Sequence, residues 1–362
     1  MANRQLPDFL TAENDLDGQE PVYIAQGGKT RKTLLSKIKE FIIGTTELTT
    51  TDKSISGAIE EVKEIADKNT TQLNALANLN LFINGGFSVW QRGTSFSTNG
   101  YTADRWMYDV EGDDKGKIVR HANGGVQIKL ISNKRFWFMQ RIELNQELKN
   151  IFSNSTVTLS FYVTTSAGVK ISPYIRVWSP SRNANIFLKS YEAKATRQLI
   201  ECQITLGDLS SDDWLGIDIF RIEEDNKFTV GDDLYIRFEN AKFELGSKAT
   251  PFVPRPYGEE LALCQRYYQK IKFISKVYDS QNLAIGMTFS TTMRTTPTIN
   301  VKGLNSSDFN TMDKYGSGDC KLTGSLTYYA DNFSVYNVVS SVAEFEVGYM
   351  YGGILVLDGE IY

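Results

Sequence analysis

The chain has one histidine, three cysteines and eight prolines in 362 residues. A lone imidazole, His121, confines any Ser-His-Asp or Cys-His site to that residue. It lies in the turn-like run Arg120-His121-Ala122-Asn123-Gly124-Gly125, with no nucleophile signature beside it. Zinc sites of the His/Cys type lack ligands on the same count. The cysteines (Cys202, Cys264, Cys320) are far apart and odd in number, which argues against a disulfide framework and for buried thiols in a protein made in a reducing cytosol. No apolar run approaches the ~18 residues of a spanning helix, and residues 1–10 lack the apolar core of a secretory signal. Positive charge is not in excess either. With 39 Lys+Arg against 43 Asp+Glu the formal net charge is −4, so no global field favours nucleic acid.

What is present changes texture along the chain, and a length prior of roughly 150 residues per domain allows two or three domains. Pro21-Val22-Tyr23-Ile24-Ala25-Gln26 reads as a strand and Gly27-Gly28 as a hairpin turn. A helix is expected over 33–43, with Thr33 as N-cap and Leu34, Leu35, Ile38, Phe41 and Ile42 at helical spacing. Lys29, Arg31, Lys32, Lys37 and Lys39 make this segment basic, as a solvated face or a docking surface for an acidic partner. Over 52–79 the residues Ile55, Ile59, Val62, Ala66, Asn69, Leu73 and Leu76 follow alternating steps of four and three. That is the seam of a coiled coil about 42 Å long, in which Asn69 would set register.

From residue 81 the pattern becomes β. Strands are expected at 157–163, 170–178, 198–206, 216–222 and 234–245, with a helical turn at 146–152, and short strands joined by Gly/Asn/Ser/Asp turns predict a sandwich of the jelly-roll kind ending near 250. Pro251, Pro254 and Pro256 then stiffen a connector, a helix is expected over 259–271, and further strands at 283–290, 298–301, 325–330 and 354–357 form a smaller β domain.

Few motifs carry chemistry. Gly27-Gly28-Lys29-Thr30 ends like a phosphate-binding loop, but Tyr23 occupies the place of its first glycine. Acidic loops at Glu111/Asp113/Asp114, Asp212/Asp213 and Asp232/Asp233 offer ligands for a structural Ca²⁺ or the carboxylate pair of a glycosidase, although Asp also favours plain turns. No other cofactor is indicated. Aromatic residues are plentiful, with 20 Phe, 18 Tyr and 5 Trp. Within Phe136-Trp137-Phe138 strand alternation turns some rings outward if their neighbours point in. Trp137, Trp178 with Arg176 and Arg182, and Trp214 beside Asp213 are rings suited to sugar faces in the sandwich. Tyr328, Tyr349 and Tyr351 are their counterparts in the last domain.

Two stretches resemble a known family. Asn84-Gly85-Gly86-Phe87-Ser88-Val89-Trp90-Gln91-Arg92-Gly93-Thr94-Ser95-Phe96, followed by Gly100-Tyr101-Thr102-Ala103-Asp104-Arg105-Trp106, is similar to a segment of bacteriophage tail-fibre and receptor-binding proteins. The run from Ala249-Thr250-Pro251-Phe252-Val253-Pro254-Arg255-Pro256 through Glu259, Leu263, Cys264 and Arg266-Tyr267-Tyr268 resembles the end of the same module. The resemblance brackets about half the chain. It implies a jelly-roll, carbohydrate-binding-module-like domain on a trimeric virion fibre, with Trp90 and Trp106 as fold determinants and not sugar ligands.

The expectation is therefore a mainly β protein: a virion-attachment module at 1–48, a coiled-coil stalk at 49–80, a jelly-roll sandwich at 81–250, a connector and helix at 251–272 and a β tip at 273–362. Its expected partners are two further copies of itself, other virion proteins and a host-surface glycan, with neither nucleic acid nor membrane insertion. It would be assembled in the host cytoplasm, belong to the virion and have no catalytic role. The rival readings are a structural fibre without host contact and a polysaccharide depolymerase, the latter opposed by the lack of a solenoid repeat.

Overall fold

The structure is a computed structural model. It describes residues 21–26, 29–34, 55–77, 80–111, 117–131, 135–223, 228, 230–231, 233–276, 286–304, 309, 311–314, 318–321, 326–331, 334–340 and 350–362. The chain divides into two compact units, Met1–Thr70 and Thr71–Tyr362.

In the first unit β1 (Pro21–Gln26) pairs antiparallel with β2 (Lys29–Leu34), Gln26 standing opposite Lys29. Thr33 lies in this ladder opposite Val22, so it does not cap a helix as its sequence context suggests. Its β-branched side chain suits a strand, and residues 35–43 of the expected helix lie outside the described residues. Helix α1 spans Ile55–Ala77, inside the expected stalk. On it Ile59 and Val62 are 61% and 60% exposed, and Ala66 and Asn69 are exposed as well. The side chains of Ile55, Leu73 and Leu76 are outside the described set.

The sandwich follows. In chain order its strands are β3 (Ser95–Phe96), β4 (Gly100–Tyr101), β5 (Trp106–Val110), β6 (Lys117–Arg120), β7 (Val126–Lys129), β8 (Phe136–Glu143), β9 (Thr156–Thr165), β10 (Tyr174–Ser179), β11 (Ala184–Ser190), β12 (Gln198–Thr205), β13 (Trp214–Ile222) and β14 (Tyr235–Leu245). Helix α2 (Gln146–Phe152) joins β8 to β9, its N-cap Asn145 accepting from the Leu148 amide at 2.8 Å. One six-stranded antiparallel sheet runs β11-β10-β13-β8-β5-β4 and the other β12-β9-β14-β7-β6-β3. Alternation decides which side chains meet between them. Phe136, Phe138 and Ile142 of β8, Trp106 and Tyr108 of β5, and Phe161, Phe238 and Phe243 of the second sheet are buried in one core. Trp106 is its hub, with ring centroids 4.9–5.1 Å from Phe87, Phe82 and Phe138.

Helix α3 (Tyr257–Gln265) is shorter than the sequence suggests. Tyr268 and Ile271 share the helical spacing of Leu261 and Cys264, yet they belong to β15 (Tyr268–Lys276), opposite Asp358 and Leu355 of β22 (Met350–Asp358). The long ladder overrides the local pattern. Between them come β16 (Met287–Thr288), β17 (Thr298–Lys302), β18 (Thr311–Lys314), β19 (Gly318–Lys321), β20 (Leu326–Ala330) and β21 (Ser334–Ser340). β17 and β18 pair with β22 and β19 with β18, whereas β16, β21 and β20 form a separate three-stranded sheet. Phe273, Val301, Met312, Leu355 and Leu357 make the smaller core, within the same compact unit as the sandwich.

The two family-like stretches meet where these cores adjoin. A Cβ on Gly85 would stand 2.2 Å from the Ala241 carbonyl oxygen, and Gly86 faces the Phe252 ring. Only a hydrogen atom fits at Gly85. Asn84, Phe87 and Arg105 adopt φ of 59°, 54° and 72°, left-handed values that cost non-glycine residues energy. The Asn84 amide offsets that cost: Oδ1 accepts from the amides of Ser88 (2.7 Å) and Val89 (3.0 Å), while Nδ2 donates to the carbonyls of Val89 (2.9 Å) and Asp104 (3.0 Å). Arg105 is 1% exposed; its guanidinium pairs with Glu360 and lies 3.5 Å over the Tyr267 ring. Arg92 meets Glu360 at 3.1 Å and covers Tyr268 at 3.6 Å. Trp106 donates its indole N–H to the Asn84 carbonyl at 3.0 Å and Trp90 donates to Phe87 at 2.7 Å. Arg92 and Arg105 thus tie the sandwich to Glu360, Tyr267 and Tyr268, while Trp106 is buried and Trp90 half-buried, both bonded within the first of the two stretches.

Candidate functional site

The outer face of the first sheet carries a cleft of about 220 Å³. Strand register builds it row by row. Trp137 of β8 stands between Arg221 of β13 and Asp109 of β5. The next row sets Met139 between Asp218 and Met107, with Arg176 of β10 beyond Asp218. In the third, Trp178 and Arg141 flank Gly216. Trp214 closes that end. A Cβ on Gly216 would meet the Trp214 ring at 3.3 Å and the Trp178 Cβ at 3.5 Å, so glycine leaves the floor open between two indoles.

A β-bulge makes the arrangement possible. The β13 register shifts between Asp218 and Phe220, which returns Phe220 to the core and turns Arg221 outward beside Asp218, as bulges do when they re-aim a side chain. Asp218 is fully buried beneath the cleft and is held by Arg176 Nε at 2.7 Å and Arg221 Nη1 at 3.4 Å. Burial raises the Asp218 carboxyl above its ordinary value and lowers the Arg176 guanidinium, and their mutual attraction opposes both shifts. Burial also raises the carboxyl of Asp109.

Each indole is matched to arginine. Arg221 and Arg135 lie 5.0 and 6.0 Å from the Trp137 ring, Arg176 5.1 Å from Trp178, and Arg141 4.8 Å from Trp214. These contacts hold the rings in place. All three tryptophans remain half-buried, so each keeps ring surface toward solvent. Chemically the cleft offers flat apolar faces beside hydrogen-bond donors and a single lining carboxylate, Asp109. That suits recognition of a polyhydroxylated ring.

Among the residues expected at a site, Trp137, Arg176 and Trp178 come together here. Arg182 does not. After Ser179 the chain turns, pinned by buried Asp212, which accepts from Ser179 Oγ (2.8 Å) and the Ser181 amide (2.9 Å). The turn carries Arg182 to the Asp208 carbonyl, against Gly207. Tyr351 is a second correction: it is 1% exposed and packs in the C-terminal core, so it shows no ring to a ligand. Tyr328 has only its backbone described, in β20, and Tyr349 lies outside the described residues. Arg141, Arg221, Arg135, Asp109 and Asp218 were not indicated by sequence as site residues. Alternation from Trp137 points outward to Arg141 and Arg135, but Arg221 depends on the bulge.

His121 accepts at Nδ1 from the Asn123 amide (3.2 Å) in its turn, and Cys202 and Cys264 are buried and unbridged. Among the described residues no group of three or more His, Cys, Asp or Glu side chains is placed to hold a metal ion, and no helix is long and apolar enough to cross a membrane.

No protein-family model matches the chain, and no curated protein matches it. Among solved structures it is similar to one described as "CBM4 structure and function", at 16% identity and TM-score 0.34, covering 45% of this chain and 98% of that one. It is also similar to the CBM22-1 xylan-binding domain of Paenibacillus barcinonensis Xyn10C, at 11% identity and TM-score 0.27 over 43% of this chain and 94% of that one. A third is the enzymatically active domain of bacteriophage CBA120 tailspike protein 4, at 13% identity and TM-score 0.27, covering 46% of this chain and 21% of that one.

Proposed function

We propose that this chain is a bacteriophage fibre protein whose sandwich, a jelly-roll in the sense expected from sequence, binds a host-surface glycan without transforming it. The observation that carries the reading is the cleft over Trp137, Trp178 and Trp214, three half-buried indoles fixed by arginines on the outer face of one sheet. Indole faces stack on the C–H faces of sugar rings, and neighbouring donors take hydroxyl oxygens. A binding role without hydrolysis fits the carboxylates. A glycosidase needs two of them flanking the scissile bond, whereas Asp218 is buried and held by two arginines and Asp109 alone lines the cleft.

The fibre setting rests on the family-like stretches and on α1. The alternating spacing of Ile59, Val62, Ala66 and Asn69 and their exposure support a parallel homotrimer, because a lone amphipathic helix leaves its apolar stripe in water. Three modest sites on one stalk gain roughly 10²–10⁴ in avidity when geometry allows. Residues 1–48, set before the stalk and carrying the basic stretch Lys29, Arg31, Lys32, Lys37 and Lys39, are assigned to docking on other virion proteins.

The test is a glycan array probed with the full chain and with Trp137→Ala, Trp178→Ala and Trp214→Ala, each checked for unchanged melting temperature. Binding that falls at least tenfold in the variants supports the cleft. If the full chain binds no glycan, the structural-fibre reading replaces this one. If binding survives all three substitutions, the receptor site lies elsewhere.

A further inference from the structure

The reading of the cleft as a glycan site can be taken one step further, and the step rests on that reading. We propose that the glycan is acidic, bearing a carboxylate as in a uronic acid, and that Arg141 receives that carboxylate.

Every cation lining the cleft is an arginine, and most are already engaged. Arg176 and Arg221 are held on buried Asp218, and Arg135 meets Glu223 at 3.2 Å. Arg141 differs. Among the described residues it forms no ion pair with a carboxylate; it donates from Nη1 to the Ile361 carbonyl at 2.6 Å and lies over the Trp214 ring. Stacking uses the face of the guanidinium and leaves in-plane N–H groups directed elsewhere. A guanidinium has five such donors in a planar fork, of which Ile361 accounts for one and the Nε–H is buried, which leaves the remaining Nη hydrogens for a ligand.

Position strengthens the case. Arg141 shares a cross-strand row with Trp178, separated by the bare floor of Gly216. Two strand spacings put them about 10 Å apart, so a sugar on the indole can project a substituent toward the guanidinium. Arg141 also borders a second hollow of about 390 Å³, lined in addition by Glu143, Arg255 and Arg266. Of the hollow's charged residues, Glu143 is bonded to Arg266 at 2.9 Å, Arg255 to Glu260 at 3.1 Å, and Arg105 pairs with Glu360. Among the described residues Arg141 is therefore the lining cation outside any close ion pair, drawn only at longer range to the Asp109 carboxylate. A planar fork fits a carboxylate with two parallel hydrogen bonds, which an ammonium does not reproduce.

The experiment presents the full chain with acidic bacterial polysaccharides, their carboxyl-reduced counterparts, neutral polysaccharides and sulfated ones. Expected is binding to a carboxylated polymer that weakens about 10- to 100-fold after carboxyl reduction, the scale of a charge-assisted hydrogen bond, and that weakens as salt is raised. Arg141→Gln removes the preference for the unreduced polymer and its salt dependence, while Arg141→Lys restores part of both. Melting temperatures of the two variants separate loss of contact from loss of fold. Equal binding before and after reduction, preference for sulfated polymers, or a preference unchanged in Arg141→Gln overturns the proposal. Binding to neutral polymers alone overturns it while leaving the glycan site standing, and binding to none removes the glycan reading itself.

Discussion

Replacing Asn84 separates two physical costs that the fold has combined in one residue. Its side chain is fully buried and satisfies four backbone groups, the amides of Ser88 and Val89 and the carbonyls of Val89 and Asp104. Asn84→Ala leaves all four without that partner. The Val89 carbonyl still accepts from the Asp104 amide at 3.1 Å and Ser88 is exposed, so the Val89 amide and the Asp104 carbonyl bear the loss. At about 1–3 kcal/mol for each buried group left unsatisfied, less what entering water recovers, about 2–4 kcal/mol is expected from the side chain. The backbone adds to it, because φ of 59° costs an alanine about 1–2 kcal/mol in the left-handed region. Asn84→Gly loses the same hydrogen bonds without the backbone cost and should be about 1 kcal/mol less destabilised than Asn84→Ala, the reverse of the order in a helix. Asn84→Asp keeps the shape and both acceptances but turns a carboxylate oxygen toward two carbonyls, so at neutral pH it should lose about as much as alanine. Equilibrium urea unfolding followed by tryptophan fluorescence reads these differences through the midpoint, with Trp106 bonded directly to the Asn84 carbonyl. A loss below about 1 kcal/mol for Asn84→Ala, or glycine no better than alanine, refutes the reasoning.

Asp218→Ala leaves Arg176 and Arg221 without their shared carboxylate and should cost about 3–5 kcal/mol, seen as a lower melting temperature; an unchanged melt would mean the arginines find water or another partner. Ile59→Asp combined with Val62→Asp should reduce the particle from three chains to one of 40.8 kDa by light scattering, and a monomeric unmodified chain at micromolar concentration ends the trimer proposal. Burial pushes Tyr101 and Tyr268 up to about 12 from 10.0. The unfolded chain therefore releases these protons first, and stability should fall as pH rises from about 10 to 12. Phenolate absorbance should show both titrating late, and Tyr101→Phe should lessen the fall; a fall unchanged in that variant contradicts the assignment.

Legibility in the sequence followed the range of the interactions. β9, β12 and β14 were readable because their period-two pattern is local, and the Phe136-Trp137-Phe138 alternation turned out as strand geometry requires, with Phe136 and Phe138 in the core and Trp137 outward. The end of α3 was not readable. Helical spacing continues to Tyr268 and Ile271, and only the ladder with residues near 355–358 makes them strand. The cleft shows the same division. Trp137, Arg176 and Trp178 stand out by composition, whereas Arg221 reaches them through a bulge and Arg141 through pairing across Gly216. Arg182 misled by its closeness in sequence to Trp178, because the turn anchored on Asp212 sends it the other way. Burial of Tyr351 depends on which neighbours β22 acquires, and those come from β15, β17 and β18.

The central claim, that a glycan lies on the Trp137/Trp178/Trp214 cleft, is tested most directly by fluorine NMR of the chain labelled with fluorotryptophan. The protein has five tryptophans, three on the cleft and two, Trp90 and Trp106, tied into the junction beneath the family-like stretches. Titration with a glycan that binds the array should move the resonances of Trp137, Trp178 and Trp214 and leave Trp90 and Trp106 in place, each assigned by single substitution. Saturable binding that moves none of the three cleft resonances would contradict the account.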